Sequence, residues 1–254
     1  MIKNKISKLI PLRKAINNID KALFKLLRKR SFIVPKVKRV KESWDYKIAF
    51  KREVEMAKKI AKQDFGLYKS NFMQKIWREI ISATLYIEGN LKIIIYRNFN
   101  LWEITKDHFS GTVNLEVCED IPSILNELIA KNTECIVLPD FKDSPIKWWT
   151  LLLEEEYNNI KINFQLPYLG GIKTFGNAKG FILSLNNQDI FSENLLYIIE
   201  KTINITLDIN LEILDKTPTH LLIKSKLSVM ELEKQLQIPQ NKIKFIGSYT
   251  NTLI

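Results

Sequence analysis

From Leu12 onward the apolar positions of the chain fall at Leu12, Ile16, Ile19, Leu23 and Leu26, and again at Ile33, Val37 and Val40. Steps alternating between four and three are those of a long amphipathic helix with a coiled-coil-like seam. The pattern predicts a helix over residues 11–42, with Pro11 in its first turn. At about 1.5 Å per residue such a helix spans roughly 48 Å, so it must lie along a partner. Arg30 stands at a seam position where the repeat asks for an apolar side chain, and a charge there needs a partner or a ligand. Pro35 is expected to kink or weaken the helix near Ser31. A second helix is predicted over about Phe50 to Asp64, stopped by Gly66, and a third from Asn71, capped with Gln74 and ending at Gly89 and Asn90. Three helices in about ninety residues make a thin core for one chain, and a dimer is expected.

After Asn90 the period changes. KIIIY around 93–96, NLEVC at 114–118 and CIVLP at 135–139 read as short buried strands, with LWEITKDHF and IPSILNELIAK as helical stretches between them. This alternation implies βαβ units and a mainly parallel sheet. GFILSL, SENLLYIIEK, THLLIK, VMELEKQL and IKFIGSY continue the pattern more weakly. The fold class expected is therefore α plus α/β: an all-helical domain over 1–90 followed by a mixed α/β domain over 91–254.

Charge sharpens this division. Residues 1–62 hold 20 Lys/Arg against 5 Asp/Glu, and the rest hold 19 against 23. The first segment is built to meet something anionic: nucleic acid, a membrane surface or a small polyanion. No run approaches the roughly 18 apolar residues of a membrane helix, and the basic start lacks the apolar core of a secretory signal. Two cysteines, Cys118 and Cys135, suit a reducing cytosol rather than a disulfide framework. With His108 and His220 as the only histidines, no His/Cys metal cluster can be drawn. The expectation is a cytoplasmic protein that uses no metal.

Several polar residues fall at compatible spacings. Arg30 and Lys41 are three helical turns apart and share a face. Arg13 lies 17 residues before Arg30, about 25 Å along the helix, so it reaches only a partner's pocket in an antiparallel dimer. Arg52 and Glu53 follow on the second helix, and Thr84 and Glu88 stand at i, i+4 on the third. The pattern LRKAINNIDKALFKLLRKR…K…RE…IWREIISATLYIEG resembles the all-helical chorismate mutases, intertwined dimers whose long first helices span both active sites. The resemblance covers residues 11–89. It implies that Arg30, with Arg13 of the other chain, binds the two carboxylates of chorismate. It further places Lys41 and Glu88 at the ether oxygen, Glu53 at the ring hydroxyl, Thr84 at the ring carboxylate and Arg52 as an organiser of the pocket. Catalysis would rest on Lys41, Glu88 and Arg30, with no cofactor.

The residue types suit that chemistry. Rearrangement of chorismate to prephenate is intramolecular and needs no nucleophile, metal or organic cofactor. A site must hold the dianion in a compact conformer and stabilise charge growing on the ether oxygen. Two positions depart from the family pattern. Ala49 stands where many members place a carboxylate, which weakens binding, and Glu88 replaces a common glutamine, which makes activity depend on pH.

Residues 91–254 resemble the α/β lobe of prephenate dehydratases, through DHFSG, LPDFKDSPIKWW and the final IKFIGSYT. The catalytic Thr-Arg-Phe of that family is absent, with Ala178-Lys179-Gly180-Phe181 as the nearest text, and its Gly-Pro-x-Gly-Thr-Phe and Glu-Asn-Ser motifs are missing too. No dehydratase activity is expected. The stretch from Leu169 through Gly176 is glycine-rich without the dinucleotide-binding spacing, and reads as a loop. Other readings of the whole chain are a non-catalytic regulator of the aromatic pathway and an isochorismate lyase on the same helical fold. Nucleic-acid binding is disfavoured, because phosphate-binding cations face outward and Arg30 lies on the seam.

Overall fold

The computed structural model describes residues 2–41, 48–89, 91–111, 113–169, 178–185, 193–201 and 211–253, with side chains of the first helix from Lys8 to Val40. The glycine-rich stretch from Gly170 to Gly176 lies outside the described residues.

Helix α1 runs over Ile2–Lys41, 40 residues and about 60 Å. It starts nine residues before Pro11, so Pro11 is inside the helix and not in its first turn. Nor does Pro35 end it. Each proline removes one backbone hydrogen bond and crowds the carbonyl four residues back, a cost of about 3 kcal/mol that the rest of the helix outweighs. Helix α2 (Phe50–Ala61) is followed by Gly66 in the left-handed region at φ +62°. Helix α3 (Ser70–Glu88) begins one residue before Asn71 and has Lys69 at its N-cap, with no side-chain cap. The expected capping box is not formed; Gln74 instead reaches Ser70 Oγ at 3.5 Å.

Strands β1 (Lys92–Tyr96), β2 (Asn114–Cys118) and β3 (Cys135–Pro139) alternate with α4 (Phe99–Phe109) and α5 (Ile121–Ile129) as expected, but β2 is not buried: it is the edge strand of the sheet and largely exposed, since only one neighbour covers it. Asn98 and Asp120 cap the two helices through their side chains. Six strands follow: β4 (Ile160–Leu166), β5 (Gly180–Leu185), β6 (Asn194–Glu200), β7 (Leu211–Lys216), β8 (His220–Ser225) and β9 (Ile243–Tyr249). Helix α6 (Val229–Leu236) precedes β9, with a capping box between Ser228 and Glu231.

The strands form one sheet in the order β2-β1-β3-β5-β4-β9-β6-β8-β7. It is mixed, not mainly parallel. β1 pairs in parallel with β2 and β3, whereas β3–β5, β4–β5, β6–β8, β6–β9 and β7–β8 are antiparallel. Parallel pairing needs a crossover between strands, and α4 and α5 supply crossovers only for the first three. The two parts of the sheet join at one parallel bridge, Ile162 to Gly247. A Cβ on Gly247 would lie 2.1 Å from the Ile162 carbonyl oxygen, so only glycine permits that approach.

Successive residues of β1 and β3 enter different cores, as side chains alternate across a sheet. Ile94, Ile136 and Leu138 pack with α5 and with Trp148 and Trp149, both fully buried. Ile93, Ile95, Cys135 and Val137 pack with α4 and with Phe50, Val54, Ala57 and Leu85 of α2 and α3. The change of period at residue 90 thus falls between a helix and a strand, while the apolar core runs across it.

Helix α1 is different. Its C-terminal part packs on α3, with Val34 buried. Its N-terminal seam is bare: Leu12 is 60%, Ile16 57% and Ile19 61% exposed. Exposed apolar side chains in an unbroken stripe mark an interaction surface. Among the described residues no helix is long and apolar enough to cross a membrane.

Candidate functional site

Where α1, α2 and α3 meet they enclose a cleft of about 240 Å³. Its polar wall is made by Arg30, Arg52, Glu53, Thr84 and Glu88, and its apolar wall by residues such as Val34, Met56, Trp77 and Ile81. Five of the seven residues expected to act together thus border one space. Arg13 does not: it is exposed on α1, remote from the cleft of its own chain by about 25 Å of helix. Lys41 is the last residue of α1, and its side chain lies outside the described residues. Ala49 also borders the cleft, at the position where the resemblance leads one to expect a carboxylate.

Of the two arginines in the cleft wall, Arg30 is the more enclosed. Its Nη1 donates to the Ile80 carbonyl oxygen at 3.3 Å and to Thr84 Oγ1. Thr84 in turn donates to Ile80 O at 2.7 Å, so one helical carbonyl orients both side chains. Burial and the neighbouring Arg52 charge lower the pKa of Arg30, and Glu88 opposes them. An arginine stays charged under such pressure. A positive charge held in a half-buried wall, next to a second one, attracts an anion.

Glu53 is in the first turn of α2 and 6% exposed. Its Oε2 accepts from Arg78 Nη1 at 2.7 Å, and His108 Nε2 stands 3.7 Å away. Arg78 and His108 are each 6% exposed and lie behind the cleft wall. Burial first, and then the Arg78 charge, hold the His108 pKa well below the ordinary histidine range, so the imidazole is neutral.

Sequence reasoning passed over Arg78 and weighed His108 as a metal ligand. Arg78 carries a faint signal, sharing with Ser82 an i, i+4 face of α3 that is buried throughout. His108 has none, because its neighbour Glu53 is 55 positions away in the chain. Among the described residues no group of three or more His, Cys, Asp or Glu could hold a metal ion.

Residues 12–89 match the family model described as chorismate mutase type II, which places a domain of that type over α1–α3. No curated protein matches the chain. Among solved structures, "GqqA- a novel type of quorum quenching acylases" is similar at a TM-score of 0.45 and 12% identity, over 65% of this chain and 97% of that one. A prephenate dehydratase from Streptococcus mutans is similar at a TM-score of 0.43 and 10% identity, over 65% of this chain and all of the other. TM-scores this low do not establish a common fold, and neither neighbour's activity is carried over to this chain.

Proposed function

We propose that the chain is a chorismate mutase, converting chorismate to prephenate in the route to phenylalanine and tyrosine, and that it works as a homodimer in the cytoplasm. One observation carries this reading: a chorismate mutase type II match over 12–89 coincides with a cleft walled by Arg30, Arg52, Glu53, Thr84 and Glu88. In the rearrangement the ether C–O bond breaks as a new C–C bond forms within the same molecule, so no atoms enter or leave. The protein's task is therefore to hold and to stabilise.

Arg30 receives one carboxylate, with Arg52 adding to the local positive potential, and Thr84 turns its hydroxyl proton from Ile80 O to the ring carboxylate when substrate binds. The ether oxygen is assigned to Lys41 and Glu88, and the ring hydroxyl to Glu53. Fixed donors aimed at an oxygen that gains charge lower the barrier because they need no reorganisation during the reaction. We assign no reaction to residues 91–254, since the dehydratase motifs are absent. Purified protein should consume chorismate, followed by its loss of absorbance, with neither metal nor cofactor added and without forming phenylpyruvate. Undiminished chorismate after long incubation would refute the mutase reading; phenylpyruvate would refute the assignment of the second region.

The bare seam of α1 supports the dimer. Arg13 cannot reach Arg30 of its own chain, so an antiparallel partner must supply it. Arg13→Ala and Lys41→Ala should each be inactive alone, yet a mixture of the two should regain part of the activity. One hybrid pocket then carries neither lesion. Full subunit exchange with a mixture that stays dead would exclude shared sites.

Glu88 can be tested through its charge. A carboxylate cannot donate a hydrogen bond and sets negative charge beside an oxygen that is becoming negative, whereas an amide donates. Glu88→Gln should therefore raise kcat/KM for chorismate at neutral pH. An unchanged kcat/KM in the variant would remove Glu88 from the reaction.

A further inference from the structure

The most enclosed polar contact around the cleft is built by two regions of the chain. Arg78 comes from α3 and His108 from α4, beyond the helical segment, and both converge on Oε2 of Glu53. Each of the three residues is 6% exposed. The His108 ring cannot swing away: it meets Phe109 edge-on at 4.7 Å and Phe164 at 5.1 Å between ring centroids. Its Nε2 is buried and has no hydrogen-bond partner, so the nearest polar atom recorded for it is the Glu53 carboxylate oxygen at 3.7 Å.

Two further contacts bind α2 to the same side. Phe50 stacks on Phe164 with ring centroids 5.3 Å apart. Lys58 Nζ pairs with Glu193 Oε1 at 2.9 Å, while Glu193 Oε2 accepts from Thr250 and from the Asn251 amide at 2.9 Å. Although burial opposes it, these hydrogen bonds hold the Glu193 pKa down to about 2, so the carboxylate is ionised under all ordinary conditions. Helix α2, which carries Arg52 and Glu53 into the cleft, is thereby fixed at residues 50 and 58 by side chains of the α/β region and at residue 53 by Arg78 of α3.

We infer that Arg78 and His108 are positioning residues of the cleft, Arg78 holding the Glu53 carboxylate by its hydrogen bond and His108 setting the polar edge of its ring behind the same oxygen, so that the α/β region forms a working part of the mutase site. The inference rests on the reading of the cleft as the chorismate site. Oε2 is committed to its hydrogen bond from Arg78, with His108 Nε2 facing it beyond hydrogen-bond distance at 3.7 Å, so an incoming ring hydroxyl is received by Oε1. A neutral imidazole suits this place. It packs between aromatic rings and adds no second buried charge to the Arg78–Glu53 pair, where an unbalanced charge would be costly. Because Glu53 touches a hydroxyl that takes no part in bond breaking, its orientation acts on substrate binding more than on the chemical step.

The test uses the full-length chain. His108→Phe keeps an aromatic ring between Phe109 and Phe164 but deletes the ring nitrogens; His108→Gln restores a nitrogen. KM and kcat are measured for chorismate, together with the affinities of two dicarboxylate analogues, one with the ring hydroxyl and one without. His108→Phe should raise KM about tenfold with kcat within about twofold, and should weaken only the hydroxylated analogue. His108→Gln should return KM to within about threefold of wild type. Arg78→Lys, which keeps the charge and loses the fork, should show the same split and decides the matter if His108→Phe does not fold. An unchanged KM, or equal weakening of both analogues, would overturn the inference, the second outcome marking a merely structural role. A wild type that neither converts nor binds chorismate would overturn the reading of the cleft itself, and that result is distinct from a failure confined to His108.

Discussion

Arg30→Ala should lower kcat/KM for chorismate about a thousandfold, the scale reached when one preorganised donor is removed from a water-poor site. The side chain is half buried, oriented by Ile80 O and Thr84, and pressed by the Arg52 charge. Removing it deletes a charge-assisted contact and leaves a substrate carboxylate facing an apolar wall. Arg30→Lys should recover part of the loss, because an ammonium restores the charge but not the planar fork. The fold should survive both changes, as Arg30 contributes no apolar burial to the core, and the unfolding midpoint checks this. Steady-state kinetics that show less than a tenfold loss for Arg30→Ala would mean that the cleft is not where chorismate reacts.

Ending the chain after Asn90 should cost most of the activity and much of the stability. The change of hydrophobic period at that point suggests an independent helical domain with all seven candidate residues inside it. The packing suggests otherwise. Phe50, Val54, Ala57 and Leu85 are buried in a core shared with Leu101, Phe109, Phe164 and Tyr168. At roughly 1.5–3 kcal/mol for each large apolar side chain returned to water, their exposure costs on the order of 5 kcal/mol, comparable with the whole stability of a small domain. The truncation also strips His108 from Glu53 and Glu193 from Lys58. A fragment of residues 1–90 should melt at least 10 °C lower than the full chain, in line with such a loss. Its kcat/KM should fall by about a hundredfold or more, as misplacing a positioned group does. A dimeric fragment as active and as stable as the full chain would show that the α/β region is dispensable to the site.

How far the sequence could be read depended on whether the signal was local. NLEVC and CIVLP read as strands and coincide with β2 and β3, while GFILSL, VMELEKQL and IKFIGSY, which continue the pattern without a type being assigned to each, coincide with β5, α6 and β9. IKINFQL became β4 and LEILDK became β7 without notice, because lysine, asparagine and acidic residues interrupt their runs. The start of α1 was misplaced for a related reason. Lysines at positions 3, 5 and 8 blur the period ahead of Pro11, and a proline after a blurred stretch reads as a beginning.

By itself the sequence determined the seam of the first helix, the anomaly of a charge at Arg30, the pairing of Thr84 with Glu88 and the change to strand periods after residue 90. All of these follow from spacing along one element, which backbone geometry alone converts into a shared face. Only the tertiary structure decided that β4 and β9 meet at Gly247 and that the sheet is mixed. It also decided that α2 is gripped from the α/β side and that Arg78 and His108 stand behind Glu53. Those arrangements join residues tens of positions apart, and no periodicity links them. They arise because apolar faces of α2, α3 and α4 had to be buried together, and Arg78 and Glu53, carried into that interface, satisfy one another there.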